Sequence, residues 1–390
     1  MFAVHIGGLR YYSSADVMRA MKVARVVLLV CVAAIWTAWP RPAYPHNPTT
    51  TTVLFNREIS TLLQRKCLQC HAEGKMAMPL VTYDQARPWA EAIKEETLKR
   101  RMPPWPAERG YGTFSNDIGL TLREFEFLIS WIDGGVPSGD GDAPAFVDHG
   151  AHWMLGTPDL VVSPSHGTPI EARRAPAFTR VVIDTGLTHD AVVRGFDFKP
   201  DPRVTRAAFL SVAGTDRYLG GWTPWQSSTE LPSGVAFRIP AHAQIAVDIL
   251  YAGAAEPVTD TPKLGLYLAS SATGGIVSTS TLRPAAPAAS GRVVAELKFP
   301  EARALLSMRP ELRPGARSLE VKLLRPDGSS DVLLWVKEVR QDWATPYVFA
   351  KPVMLAAGSV VQAIAYFDGS PSASSTAPPF TMAVNHYATK

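Results

Sequence analysis

The segment KCLQCHAEG, residues 66–74, constrains this chain more than any other. Two of only three cysteines, Cys67 and Cys70, stand three apart, and His71 follows the second directly. Two thiols about one helical turn apart can each add to a vinyl group of one haem. The adjacent imidazole then reaches the iron as an axial ligand. Other chemistries use parts of the same pattern. A thioredoxin-type pair needs a βαβ setting, whereas the surroundings here read as helical. A zinc site needs two further ligands at suitable spacing, and none is obvious. A structural disulfide leaves His71 without a task. The pattern as a whole favours one covalent haem c, held by Cys67, Cys70 and His71.

The sixth ligand should come from further along the chain. Methionine suits an electron carrier because it raises the potential, and the candidates are Met76, Met78 and Met102. Met76 and Met78 follow His71 too closely to reach the far haem face easily. Met102 lies in KRRMPPWPA, where two prolines stiffen the chain as a weak thioether ligand requires. Met102 is therefore the expected axial partner of His71, with Trp105 packed near the haem. Lys99, Arg100 and Arg101 read as a solvated helix end rather than as partners of the haem propionates.

Residues 1–45 read as an export signal or an N-terminal anchor. Arg19, Lys22 and Arg25 precede the apolar run VVLLVCVAAIWTAW, and Pro40, Pro42 and Pro45 follow it. The run is shorter than the ~20 residues of a spanning helix. Retention of this segment would associate the chain with a membrane. In either case the remainder is expected in the periplasm or elsewhere outside the cytoplasm. A formal charge of +4, spread over 390 residues without an aromatic-rich basic stripe, argues against nucleic acid. Three cysteines cannot supply a disulfide framework at this length.

From Val53 to about Gly139 the pattern is helical. Phe55, Ile59, Leu62 and Leu63 share a face, as do Leu122, Phe125, Leu128, Ile129 and Ile132. Thr82 with Gln85, and Thr121 with Glu124, read as capping boxes, and Gly134–Gly135 as a helix stop. After VPSGDGDAP, residues 136–144, short alternating runs replace this pattern, among them TRVVIDTG, AQIAVDILYAG, RSLEVKLL, DVLLWVKEV and SVVQAIAYFDG. RPDGSS, residues 325–330, reads as a hairpin turn. Strands at this spacing suggest antiparallel sandwiches, with RPAAPAASG, residues 283–291, as a linker. The division expected is 1–45 signal or anchor, 46–140 monohaem cytochrome c domain, 150–282 first β-sandwich and 291–390 second β-sandwich.

FNREI, CLQCH, LVTYDQARPWAEAIKEE, RRMPPW and GTFSNDIGLTLREFEFLISWIDGGVP together resemble the small cytochrome c module of many bacterial proteins. In those proteins it precedes a copper monooxygenase-like region. Downstream, WMLGTPDLVV, LPSGVAFRIPAHAQIAVDILYAGAAEPVTDTPKLGLYLA and the segments around LLRPDGSSDVLLWV and FAKPVMLAAGSVVQAIAYFDGSP are similar to peptidylglycine α-hydroxylating, ascorbate-dependent type II copper monooxygenases. The resemblance implies a small all-α cytochrome c domain followed by an all-β pair of antiparallel β-sandwiches. It also implies copper ligands, mainly histidines with one adjacent pair and a methionine, and these are missing. The β region has His149, His152, His166, His189, His242 and His386, none adjacent and none spaced His-x-His. Arg206 and Ala207 stand where the pair is expected, and Leu250 precedes Tyr251 where a further histidine is expected. Copper is accordingly not expected.

These expectations make the chain an exported one-electron carrier rather than a catalyst. Its β region would dock or scaffold, and its partner would be a redox protein or a membrane electron-transfer complex. The alternatives are a haem-linked, ascorbate-dependent copper monooxygenase and a structural subunit with a vestigial haem.

Overall fold

Both capping boxes form. Thr82 accepts from the Gln85 N–H and opens a helix at Tyr83–Ala86, while Thr121 and Glu124 open the Leu122–Asp133 helix, which Gly134 ends. With Ser60–Lys66 and Ala90–Leu98 these are the four short α-helices of the segment. A π-turn at Phe55–Ile59 and a 3₁₀ turn at Arg87–Trp89 complete it. Phe55, Ile59, Leu62, Leu63, Leu128 and Trp131 bury their side chains in one cluster. The Trp131 indole donates to the Pro137 carbonyl and the Tyr83 hydroxyl to that of Val136, which fold the chain after the last helix back onto this cluster.

The computed structural model describes residues 18–19, 21–23, 51–148, 150, 152–285, 291–369 and 377–389. The chain divides into two units, Met1–Thr49 and Thr50–Lys390. In the first, the described residues 18–19 and 21–23 are helical and exposed. The expected export run with Cys31 lies outside the described residues, as does His149. Among the described residues no helix is long and apolar enough to cross a membrane.

Two antiparallel sandwiches make up most of the second unit. In the first, one sheet orders Leu160–Val162, Lys263–Leu268, Ala191–Lys199 and Val235–Ile239, and the other orders Ala177–Asp184, Gln244–Tyr251, Thr205–Val212 and Tyr218–Trp222. Phe196, Phe198, Ile239, Val247 and Leu264 fill the space between them. In the second, Ser278–Leu282, Phe380–Ala388, Arg303–Leu312 and Tyr347–Leu355 form one sheet. Arg292–Lys298, Val360–Phe367, Ala316–Leu324 and Ser330–Val336 form the other. The RPDGSS segment is the expected hairpin turn, with Gly328 at φ +84°.

The expected fold class, with a small all-α cytochrome c domain ahead of the sandwiches, is corrected by this architecture. Among the described residues strand accounts for 40% and helix for 14%, and no helical cytochrome c domain is present. The physical reason lies between the Ala90–Leu98 and Leu122–Asp133 helices. That connection gives Ala107, Phe114 and Trp105 to the second sandwich and only Leu120 to the helical cluster. Ala107 bridges Val336 at one sheet's edge strand, and Phe114 bridges Phe349 at the other's. The Glu108 N–H donates to the Trp335 carbonyl at 2.7 Å and the Ser115 N–H to that of Val348 at 2.8 Å. The segment is thus a strap across the open side of the sandwich. Ala107 and Phe114 belong to the sandwich core, with Trp105 packed against it. Gly112 makes the close approach possible, since it adopts φ +75° and a Cβ there would lie 2.2 Å from the Leu333 carbonyl oxygen.

Removing the Phe114 ring should cost about 3–5 kcal/mol, the usual range for a buried Phe→Ala change. Because the strap joins helices to sheets, urea unfolding of Phe114→Ala should remain one transition, shifted equally by far-ultraviolet circular dichroism and by tryptophan fluorescence. A sheet signal that stays at the native midpoint would show that the strap does not stabilise the sandwich.

Candidate functional site

The Ser60–Lys66 helix ends at Cys67, whose N–H donates to the Leu63 carbonyl at 2.8 Å. The Cys70 and His71 N–H groups both donate to the Cys67 carbonyl at 3.0 Å. This tight turn brings Cys67, Cys70 and His71 to the wall of one cleft. Met102, Pro103 and Pro104 line the same cleft. The structure therefore brings all four expected site residues together.

His71 Nδ1 lies 3.0 Å from the Met78 carbonyl oxygen. A carbonyl only accepts, so Nδ1 carries the proton and Nε2 keeps its lone pair. Burial, partly offset by this bond, lowers the His71 pKa and favours the neutral, ligating imidazole. Met78 contributes this backbone carbonyl, and Met76 and Met78 also line the cleft beside Met102. The Ala77 and Leu80 N–H groups return to the Cys70 and His71 carbonyls and close the loop. The two thiols are free, and burial pushes each pKa up to about 12. A redox-active dithiol requires the opposite shift. Among the described residues no group of three or more His, Cys, Asp or Glu is placed to hold a metal.

The cleft has a volume of about 290 Å³ and is walled mainly by apolar side chains such as Leu62, Leu80, Ile93 and Leu128. Trp225 and Trp343 of the β region complete the wall. Their rings lie 6.1 Å apart between centroids, and the Trp225 indole donates to the Asn116 carbonyl at 3.1 Å. Sequence reasoning missed both. Each stands in an irregular segment, TPWQ or QDWATP, with no pattern to mark it. An apolar cleft, a neutral histidine with its Nε2 lone pair, two unionised thiols and a thioether are a donor set that fits a covalently held haem. Cys67 and Cys70 would hold its edge, and His71 and Met102 its iron.

Other expectations fare differently. Trp105 packs with Phe114 and Tyr347 in the sandwich core and does not line the cysteine–histidine cleft. Arg100 pairs with Glu108 at 2.7 Å, Lys99 with Glu95, and Arg101 with Glu96, so these cations are engaged at the helix end. Ala207 and Leu250 are cross-strand partners, buried with Phe209 and Tyr218 in an apolar cluster. Beside them the Arg206 guanidinium sits over the Trp343 ring at 5.3 Å. Burial lowers its pKa, opposed by the Asp342 charge. His152, His166, His189 and His242 are exposed on separate segments.

His386 alone among the described β-region histidines is buried, 2.9 Å from the Ser280 hydroxyl and edge-on to Phe299. Burial, with Arg303 nearby, brings its pKa down to about 4. An unfolded histidine takes up a proton below about pH 6.5. His386 therefore stabilises the fold above that value, and this contribution is lost as pH falls from 6.5 to 4, by roughly 3 kcal/mol in all. Urea unfolding at pH 7 and pH 4.5 should show a smaller pH dependence for His386→Gln than for the native chain. Equal pH dependence would mean that His386 is not buried neutral.

No protein-family model matches the chain, and no curated protein does. Solved structures match over part of its length. The major capsid protein P2 from bacteriophage PM2 covers 58% of this chain and 96% of its own, at 10% identity and a TM-score of 0.28. A peptide-N(4)-(N-acetyl-β-D-glucosaminyl) asparagine amidase covers 59% and 96%, at 9% identity and a TM-score of 0.28. The xanthan lyase of Paenibacillus covers 64% and 28%, at 8% identity and a TM-score of 0.20. Likenesses this distant carry no argument about this chain.

Proposed function

We propose that this chain is a monohaem c-type electron carrier acting outside the cytoplasm. Its β region scaffolds the cofactor and docks a redox protein or a membrane electron-transfer complex. The observation that carries this reading is the single cleft in which Cys67, Cys70, His71 and Met102 meet under Trp225 and Trp343. Bound there, a haem would supply a one-electron Fe(II)/Fe(III) couple.

The chain's own residues do the rest. Cys67 and Cys70 would anchor the group covalently, which would keep it with the chain. His71 offers Nε2, and the Met78 carbonyl keeps the other ring nitrogen protonated. Met102 offers a soft thioether, which favours the reduced state. With His71 and Met102 both committed to the metal, a bound haem would offer substrate no open site. Trp225 and Trp343 exclude water, and this low dielectric further disfavours the more highly charged oxidised state. Copper chemistry in the β region is not part of this reading. At the positions where the resemblance expects ligands, Ala207 and Leu250 offer no lone pair, and Arg206 stays protonated.

Export of the native chain in a bacterium that attaches haem should give a denaturing-gel band with haem peroxidase stain, and Cys67→Ser with Cys70→Ser should abolish it. A stained band in the double variant would defeat the assignment. In the native ferric protein the weak near-infrared band of iron–thioether ligation should be present. Met102→Ala should remove it and open the ferrous form to carbon monoxide. Loss of the band in Met78→Ala instead would transfer the axial role to Met78.

A further inference from the structure

The carbonyl of Arg101 belongs to the peptide group that ends at the Met102 nitrogen. It accepts a hydrogen bond at 2.8 Å from Nη1 of Arg340, a residue 239 positions away in the β region. Arg340 lies between the Ser330–Val336 and Tyr347–Leu355 strands, the two edges that the strap joins. The rest of its guanidinium is also committed: Nε and Nη2 donate to the Asp342 carboxylate at 3.2 and 2.7 Å. Asp342 is held in turn by Arg206 Nη1, 3.7 Å from its carboxylate and 3.3 Å from its backbone carbonyl. A planar guanidinium held along one edge by a bidentate carboxylate is fixed in orientation, so its remaining nitrogen, Nη1, points in a set direction.

We propose that Arg340 is a positioning residue for Met102, fixing from the β region the backbone that presents the thioether. The inference rests on the haem reading above. Upstream, the Arg101 and Met102 N–H groups both bond to the Glu96 carbonyl, at 2.9 and 3.3 Å. Downstream, Pro103 and Pro104 have fixed φ. Arg340 holds the one polar group of the Arg101–Met102 peptide that the helix end leaves free. A thioether is a weak donor to ferric iron, so how long it stays bound depends on the support behind it. Arg206, which stands where the resemblance expects a copper-binding histidine, thereby takes a different task. It orients Asp342, which orients Arg340.

The test uses the full-length holoprotein. Arg340→Met keeps the aliphatic stem and removes the donors, whereas Arg340→Lys restores one donor to the Arg101 carbonyl. Three quantities are read: the near-infrared thioether band, the pH at which it disappears, and carbon monoxide binding to the ferrous form. In Arg340→Met the band should be lost or should vanish at a pH about one unit lower. Carbon monoxide should bind about 10-fold more tightly, in keeping with the effect of residues that support a metal ligand. Arg340→Lys should fall between this variant and the native protein. If Arg340→Met does not fold, Asp342→Asn, which loosens the guanidinium without removing it, should move the same three quantities in the same direction. A variant with haem attached and all three quantities unchanged overturns the inference and leaves the haem reading standing. Native protein without covalent haem overturns both.

Discussion

Phe114 joins the two halves of the chain. Its ring is buried with Tyr347 and Phe349 of one edge strand and packs edge-on to Trp105. The strap that carries it runs from one sheet edge to the other. Through this contact the connection between the last two helices enters the core of the second sandwich, while the helices keep a cluster of their own. Asn116 continues the same connection. Its side chain donates to the Pro346 carbonyl at 2.7 Å and accepts from the Val348 N–H at 3.2 Å, and its own carbonyl holds Trp225.

Function and scaffold are therefore not separable by cutting the chain between helices and sheets. On the proposed reading the helical segment supplies Cys67, Cys70, His71 and Met102, and the β region supplies Trp225 and Trp343 to the same cleft. Burial acts on the three titratable groups in one direction, against charge: it favours neutral His71 and protonated thiols. These are the forms needed for ligation by an imidazole and for thioether formation, and they are unsuited to a redox dithiol.

Much of this was legible in the residues, because local chemistry dictated it. The two capping boxes, the Gly134 stop, the alternating strands and the RPDGSS turn all stand where side-chain periodicity and turn chemistry put them. The stiff RRMPPW segment made Met102 stand out, and Met102 lines the same cleft as His71. The strap was not. GYGTFSND carries too little periodicity to show as a strand, and its pairing partners lie more than 200 residues away. Trp225, Trp343 and Arg340 were invisible for the same reason, since their role exists only once distant segments meet. The helical pattern of residues 53–139 was read correctly as helices and incorrectly as a self-contained domain, because Trp105 and Phe114, apolar residues between those helices, are spent on the β core.

Metal stoichiometry tests the central claim most directly. Elemental analysis of the exported, purified chain, repeated after copper loading and desalting, should give one iron per chain and copper well below one. Two tightly held coppers per chain with ascorbate-dependent oxygen consumption, or a chain without iron, would contradict an account in which one haem, held between helices and sheets, carries the function.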